Sequence, residues 1–268
     1  MPEGDVVWRA ATRLRETLAG RPLTTSDFRV PRLATVDLSG RQVLDVVSRG
    51  KHLLLRVEPD HTVHVHLRMD GEWHLYRPGA RHHGRAWQIR LILGNDAWEA
   101  VGYRLPVVEL LPTADEARVV GHLGPDPLGP DWDAAEACRR LAADPDRMIG
   151  DALLDQRTLA GIGNLYKAEV CFLRGISPWR RVTDVDDLPG LVDLARRLLD
   201  ANKNRVGQVT TGTARPGHDT WVYGRTARPC RRCGTTIKRA VQGNRLDGRV
   251  TYWCPRCQPL RTLRPGPA

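Results

Sequence analysis

Pro-Cys-Arg-Arg-Cys-Gly-Thr-Thr-Ile-Lys-Arg-Ala-Val-Gln-Gly-Asn-Arg-Leu-Asp-Gly-Arg-Val-Thr-Tyr-Trp-Cys-Pro-Arg-Cys, residues 229–257, decides how the chain ends and what must fold before it. It sets Cys230, Cys233, Cys254 and Cys257 in the spacing C-x2-C-x20-C-x2-C. Two short-spaced thiolate pairs are the donor set of a tetrahedral Zn2+, so one structural zinc is expected here. The intervening residues suit a β-hairpin turning at Asn-Arg-Leu-Asp-Gly-Arg-Val (244–250). A disulfide pair is disfavoured by the lack of a signal-peptide core, and a redox C-x-x-C by the duplication of the motif. Pro-Cys-x-x-Cys also half-matches a zinc deaminase, but no His-x-Glu exists in the chain to complete one. Cys138 and Cys171 fall in helical segments and read as inert core residues.

Charge extends the reading outward. Between Arg215 and Arg264 there are 12 Lys/Arg and 2 acidic residues, which leaves 29 of each sign elsewhere, so the whole net charge of +10 sits in the C-terminal fifth. Such a block suits a polyanion, because each neutralised phosphate releases counterions; a solvated basic tail is the plain alternative. With 268 residues, 41% hydrophobic and 27% charged, the chain is globular rather than disordered and long enough for two or three packed units. No apolar run reaches the ~20 residues of a membrane span, and a soluble intracellular protein is expected.

Upstream, Val6, Val7, Ala10, Ala11, Leu14 and Leu18 recur at a helical period, with Gly20 and Pro22 as the stop. From there to about Leu111 the texture is short β-like runs, such as residues 42–50, 51–58, 62–69, 72–77 and 87–93, which predict an antiparallel sandwich or barrel. Gly124–Asp133 is turn-rich and reads as a junction. Ala134–Ala143, Met148–Leu154, Gly163–Leu173 and Leu188–Asn202 suit helices, with Leu-Ala-Gly-Ile-Gly (159–163) permitting tight turns. His64 and His66 alternate on a strand, where a polar strand face is expected rather than a metal pair.

The start, Met-Pro-Glu-Gly, carries chemistry of its own. With Met1 removed, Pro2 presents a secondary amine. An α-amine near pKa 7.7–8.0 is about one-third free base at pH 7.5, against roughly one in a thousand for a lysine. Attack on a sugar aldehyde carbon gives a cationic iminium, an electron sink for eliminating the neighbouring phosphate. Glu3 is adjacent and can move protons at the same carbon. As a bland role, Pro2 suits the first turn of a helix.

Pro-Glu-Gly at the start, Ser-Arg-Gly-Lys-His-Leu-Leu-Leu with Lys51, Leu-Leu-Asp-Gln-Arg-Thr-Leu-Ala-Gly-Ile-Gly-Asn-Leu-Tyr-Lys-Ala-Glu with Asn164, and Trp-Val-Tyr-Gly-Arg leading into the four-cysteine stretch occur in this order. Together they resemble the formamidopyrimidine-DNA glycosylase / endonuclease VIII family, from residue 2 to about 258. The resemblance implies an α+β fold: an N-terminal antiparallel β-sandwich with a leading helix (1–112), a linker (113–130), a helix–two-turns–helix domain (131–212) and a C-terminal zinc-finger β-hairpin (218–260). It implies a monomer acting on damaged DNA, double-stranded or in a bubble or single strand, with no membrane, in the cytoplasm at the nucleoid.

By matching motif it implies Pro2 as nucleophile, Glu3 as acid/base, Lys51 as a phosphate contact assisting β-elimination, and Arg249 as the phosphate clamp of the finger. Asn164, His122 and Tyr223 are implied DNA contacts. Met69 in His-Leu-Arg-Met-Asp-Gly aligns with the apolar wedge that fills the hole after base flipping, or is a strand-core methionine, and Arg68 beside it is a further implied DNA contact, although it departs from the usual residue. The Arg-Phe-Gly wedge of the formamidopyrimidine branch is absent, and Thr-Tyr-Trp-Cys-Pro-Arg-Cys-Gln leans to endonuclease VIII. The implied activity is excision of oxidised bases, pyrimidines rather than purines, with β,δ-elimination. The alternatives are a formamidopyrimidine- or 8-oxoguanine-directed enzyme and a non-catalytic protein that recognises damage or abasic sites.

Overall fold

In the computed structural model, which describes residues 2–243 and 248–260, the helical period at the start becomes helix α1, Gly4–Leu18, with Val7, Ala11, Leu14 and Leu18 on its buried face. Each such leucine contributes about 1.5–3 kcal/mol by leaving water. The backbone N–H groups of Val6 and Val7 both donate to the Glu3 carbonyl at 3.1 Å, so Glu3 is the N-cap residue. Beyond Ala19, Gly20 takes φ +75°, which ends the helix at no steric cost.

Eight strands follow: β1 (Thr25–Phe28), β2 (Val43–Arg49), β3 (His52–Val57), β4 (His61–His66), β5 (Glu72–Tyr76), β6 (Ile89–Gly94), β7 (Glu99–Tyr103) and β8 (Val107–Pro112). They form two antiparallel sheets, ordered β1-β6-β7-β5 and β2-β3-β4-β8. Leu53, Leu55 and Val57 of β3 and Val63 and Val65 of β4, spaced by two, share one core with Leu91 and Leu93 of β6 and the apolar face of α1. The sandwich is therefore the burial solution that the alternation demands.

The expected linker at 113–130 does not begin where the sequence suggests. Residues 113–122, including the short helix α2 (Ala117–Val120), belong to the first of two compact units, which ends at His122. Glu116 is the reason. Its carboxylate receives Arg56 Nε and Nη2 at 2.9 and 2.8 Å and the Thr62 hydroxyl at 2.7 Å, which pins this segment onto β3 and β4.

The second unit holds α3 (Ala134–Ala142), α4 (Ile149–Leu154), α5 (Asn164–Leu173), α6 (Leu188–Asn202) and a hairpin of β9 (Lys238–Gln242) and β10 (Arg249–Trp253). Asp133 caps α3 through the Glu136 N–H at 3.0 Å, and Asp187 caps α6 through the Gly190 N–H at 2.8 Å. Nine of the ten residues of α5 are buried, so it has no wet face, and its polar side chains must find partners inside. The loop before it is stapled by Gln156, whose Nε2 donates to Leu154 O and Ile162 O while its Oε1 accepts from Gly161 N. A Cβ on Gly124 would lie 2.6 Å from Arg157 O, so only glycine lets the chain pass this loop. The finger turn assigned to 244–250 lies, over 244–247, outside the described residues.

Candidate active site and metal centre

The first unit contributes the front of α1 and the β2–β3 turn. Pro2 is half-buried, while Glu3 and Asp5 are fully buried. Helix α1 packs on β2 and β3, the strands that carry Lys51. Gly50 and Lys51 form a two-residue turn between the paired Arg49 and His52, with Gly50 at φ +57°. This turn needs positive φ at its first residue, which glycine supplies.

Behind Lys51 lies a group of imidazoles. His52 Nδ1 meets His64 Nε2 at 2.8 Å, His64 Nδ1 meets Glu109 Oε2 at 2.9 Å, and the His52 and His64 rings stack at 5.1 Å. The tautomers that satisfy both contacts have His52 donating to His64 and His64 donating to Glu109. His66 packs edge-on to His52, and His122 lies 6.2 Å from it. Burial, then the neighbouring His66, His64, His122 and Arg68, lowers the His52 pKa to about 3. Burial, then Arg68, Lys51 and His64, lowers that of His66 to about 4. Both are neutral at physiological pH. The polar strand face expected for His64 and His66 is what forms, and it gathers Lys51, Arg68 and His122 around it.

Arg68, Met69 and Asp70 occupy a tight turn closed by Gly71 N donating to Leu67 O at 2.9 Å. A Cβ on Gly71 would sit 2.6 Å from that same oxygen. Arg68 takes φ +51°, a strained value for a side-chain-bearing residue, and its N–H donates to His66 Nδ1 at 3.0 Å. Met69 is 56% exposed. It is not a strand-core methionine, which leaves the wedge as the reading to test.

In the second unit, Asn164 opens α5 behind Gly163, an N-cap without a side-chain hydrogen bond. Asn164 Nδ2 donates to Val250 O at 2.7 Å, which ties the helix start to the residue after Arg249. Arg249 itself is exposed and pairs across the hairpin with Gln242. Two turns of chemistry deepen the tie. Lys167 Nζ donates to Thr251 Oγ1 at 2.5 Å, and Thr251 Oγ1 in turn donates to Gln242 Oε1 at 3.1 Å. The start of α5 is thus tied to β10 at the residue that follows Arg249. Tyr223 is different: it is half-buried against Tyr252, ring centroids 5.2 Å apart, and belongs to the packing as much as to a surface.

The four finger sulfurs lie within 4.8 Å of one another, with Cys230–Cys257 at 3.9 Å and Cys233–Cys254 at 3.4 Å. Four sulfurs about 2.3 Å from a tetrahedral centre are about 3.8 Å apart, so the donor set fits one Zn2+. Cys138 and Cys171 are not part of it; burial pushes the Cys171 thiol up to about 12, and Cys138 is also raised by burial. These two are inert, as expected.

Sequence reasoning missed three organising residues. Glu169, fully buried, accepts the N–H groups of Trp221 at 2.7 Å and of Val222 and Tyr223 at 2.8 Å, with the Thr210 hydroxyl as a fourth donor. Burial pushes its carboxyl up while these donors pull back. Gln258 closes the second cysteine knuckle, its Oε1 accepting from Cys254 N at 3.0 Å and its Nε2 donating to Ile176 O at 2.9 Å. Arg104 donates through Nε to Asp70 O at 3.2 Å and through Nη2 to Glu72 Oε1 at 2.5 Å. Only Glu169 carried a sequence signal, a charged residue inside the largely apolar α5.

Comparison with known proteins finds relatives over the whole chain. Residues 1–103 match the formamidopyrimidine-DNA glycosylase N-terminal domain, residues 123–188 its H2TH domain, and residues 228–260 the zinc finger found in FPG and IleRS. The chain is 59% identical over 269 residues to the probable endonuclease 8 2 of Streptomyces coelicolor, covering 99% of this chain and 97% of that protein. It is 46% identical over 258 residues to the DNA-(apurinic or apyrimidinic site) lyase Nei2 of Mycolicibacterium smegmatis, covering 96% and 99%. The fold is similar to that of Lactococcus lactis Fpg in complex with DNA containing N7-benzyl-Fapy-dG, with TM-score 0.78, 24% identity and coverage of 96% and 100%. The N-terminal, H2TH and zinc-finger matches and these relatives together show that the chain belongs to the formamidopyrimidine-DNA glycosylase / endonuclease VIII family, on its endonuclease VIII branch.

Proposed function

We propose that this chain is a bifunctional DNA glycosylase and AP lyase of base excision repair, acting in the cytoplasm at the nucleoid. Its substrates are oxidised bases, pyrimidines foremost. The observation that carries the reading is Pro2 set directly before a fully buried Glu3 at the start of α1, in a chain of this family.

With Met1 removed, the Pro2 nitrogen bonds to C1′ as the N-glycosidic bond breaks and the base leaves with a proton. Glu3 moves the proton that opens the sugar to the Pro2 iminium. Loss of a C2′ proton to a proton acceptor expels the 3′ phosphate, and loss of the C4′ proton in a second elimination expels the 5′ phosphate. Water then hydrolyses the iminium and frees Pro2. Lys51 holds a phosphate during the first elimination, and Arg249 with Asn164 during the second; charge-assisted bonds of this kind are typically 1.5–3 kcal/mol. The base is flipped out first, with Met69 entering the space it leaves. Zinc supplies no step; it folds the finger that carries Arg249.

Borohydride trapping on duplexes carrying thymine glycol, 8-oxoguanine, formamidopyrimidine or an abasic site tests the proposal. Covalent complexes are expected on thymine glycol and abasic DNA. A protein that binds these duplexes and is trapped on none of them is a non-catalytic reader of damage instead.

A further inference from the structure

Trp87 is 68% exposed, the largest apolar ring left in water among the described residues of the first unit. The sequence reading starts a strand there, but the structure holds Trp87 in a single 3-10 turn, Ala86–Gln88, just before β6. That turn is fixed from three directions: Arg85 N donates to Gln88 Oε1 at 3.1 Å, Gln88 N to Arg85 O at 2.9 Å, and Arg104 N to Gln88 O at 2.7 Å. The ring is therefore mounted on rigid backbone rather than on a loose loop.

Its surroundings are basic. Residues 77–88 contain Arg77, Arg81, His82, His83, Arg85 and no acidic residue. The acidic side chains nearby are already engaged, Glu99 by His82 at 2.9 Å and Glu72 by Arg104 at 2.5 Å and His74 at 3.2 Å. Arg77 lies over the Trp98 ring at 3.9 Å, which leaves Arg81 and Arg85 as exposed cations six and two residues before Trp87 in the same segment.

Arg104 connects this turn to the one bearing Met69. Its backbone N–H holds Gln88 while its guanidinium holds Asp70 O, and it does so at φ +48°, a strained conformation for arginine. One residue thus joins two turns, each offering an exposed apolar side chain, into one surface. An exposed flat ring on an arginine-bearing segment suits a partner with flat π-faces strung on a polyanion.

We infer that Trp87, with Arg81 and Arg85, is a docking platform for single-stranded DNA, on which an unpaired base stacks beside the lesion-handling turn. The inference rests on the reading that the chain acts on DNA and adds to the duplex substrates those with unpaired nucleotides, such as bubbles and forks. Stacking on one aromatic side chain is worth about 5- to 150-fold in affinity per base.

The test is binding of an undamaged oligothymidylate, a bubble and a fully paired duplex by wild type, Trp87→Ala and Trp87→Tyr, with trapping on an abasic duplex run in parallel. Trp87→Ala is expected to weaken the oligothymidylate and bubble at least about fivefold, to leave the paired duplex within twofold, and to leave trapping intact; Trp87→Tyr restores most of the loss. Arg81→Gln with Arg85→Gln is expected to flatten the salt slope on single strands by up to about 1.4. Equal losses on duplex and single strand, or no loss on either, overturn the platform. Wild-type protein that neither binds nor is trapped on any DNA overturns the proposed function itself, a distinct result.

Discussion

Replacing Glu169 by glutamine changes one oxygen to a nitrogen and tests whether a buried carboxylate builds the Trp221–Tyr223 stretch. Oε1 accepts from Val222 N and Tyr223 N, and Oε2 from Trp221 N and the Thr210 hydroxyl. Glutamine satisfies the first pair if its oxygen takes the Oε1 place. Thr210 can then turn its hydroxyl and accept, but the Trp221 N–H faces another donor; the flipped amide accepts from Trp221 and strands Val222 and Tyr223 instead. One buried, unsatisfied N–H costs about 1–3 kcal/mol. In a unit of this size each kcal/mol is roughly 2–4 °C of melting temperature, so its transition should fall by several degrees. Glu169→Ala, which strands three amides and leaves a cavity, should fall further. Calorimetry with zinc release followed in the same scan reads this out, because Trp221 and Val222 pack with Cys230 and Cys254 in one cluster. Glu136→Gln, a surface carboxylate bound by Arg139 and Arg140, is the control expected to leave the transition in place. A Glu169→Gln protein that melts with wild type and keeps its zinc to the same temperature refutes the reasoning.

Pro2→Gly, or a protein that keeps Met1, is expected to lose borohydride trapping on an abasic duplex while binding it; undiminished trapping by a Met1-bearing protein would identify a lysine as the nucleophile. Cys254→Ser is expected to lose one Zn2+ per chain, read by metal analysis, and most of its DNA affinity. Arg249→Ala is expected to lose about 1.5–3 kcal/mol of binding, flatten the salt slope by about 0.9 on duplex DNA and stall product after β-elimination on a gel. Glu3→Gln keeps the slope, stops base release and still nicks a pre-formed abasic site. His52 and His66 have folded pKa values of about 3 and about 4, below the 6.5 of an unfolded histidine. The unfolded chain then binds more protons between these limits, so this stability is complete above about pH 6.5 and is lost as pH falls towards 4. Melting temperature against pH should show that slope between 6.5 and 4.5, and His52→Gln should flatten it.

Where local physics dictates a residue, the sequence shows it. The period of Val7, Ala11, Leu14 and Leu18 foretold α1, and four helices of the second unit begin and end within a residue of the reading. The cysteine spacing foretold a sulfur cluster because two short-spaced thiolate pairs are the donor set of a tetrahedral Zn2+. Partners far apart in the chain were not legible. Nothing in Glu116 announces Arg56 and Thr62, some 60 and 54 residues earlier, and nothing in Glu169 announces amides 52–54 residues later. A polar residue on an apolar helix face says that a partner exists, and only the fold says which one.

The same distinction divides the site itself. Pro2, Lys51, Asn164 and the cysteines stand in motifs whose backbone geometry fixes them, so motif resemblance can carry their roles. Met69 and Trp87 face water on turns held by Gly71, Gln88 and Arg104. Their backbone anchors do not depend on the exposed side chain, more than half of which lies in water. A position with rigid backbone and an unconstrained side chain can change without unfolding the protein, and it is there that lesion and strand preference can be tuned. The choice of methionine and tryptophan at these two positions, rather than the shared chemistry of the amine, is therefore where the substrate range of this chain should be sought.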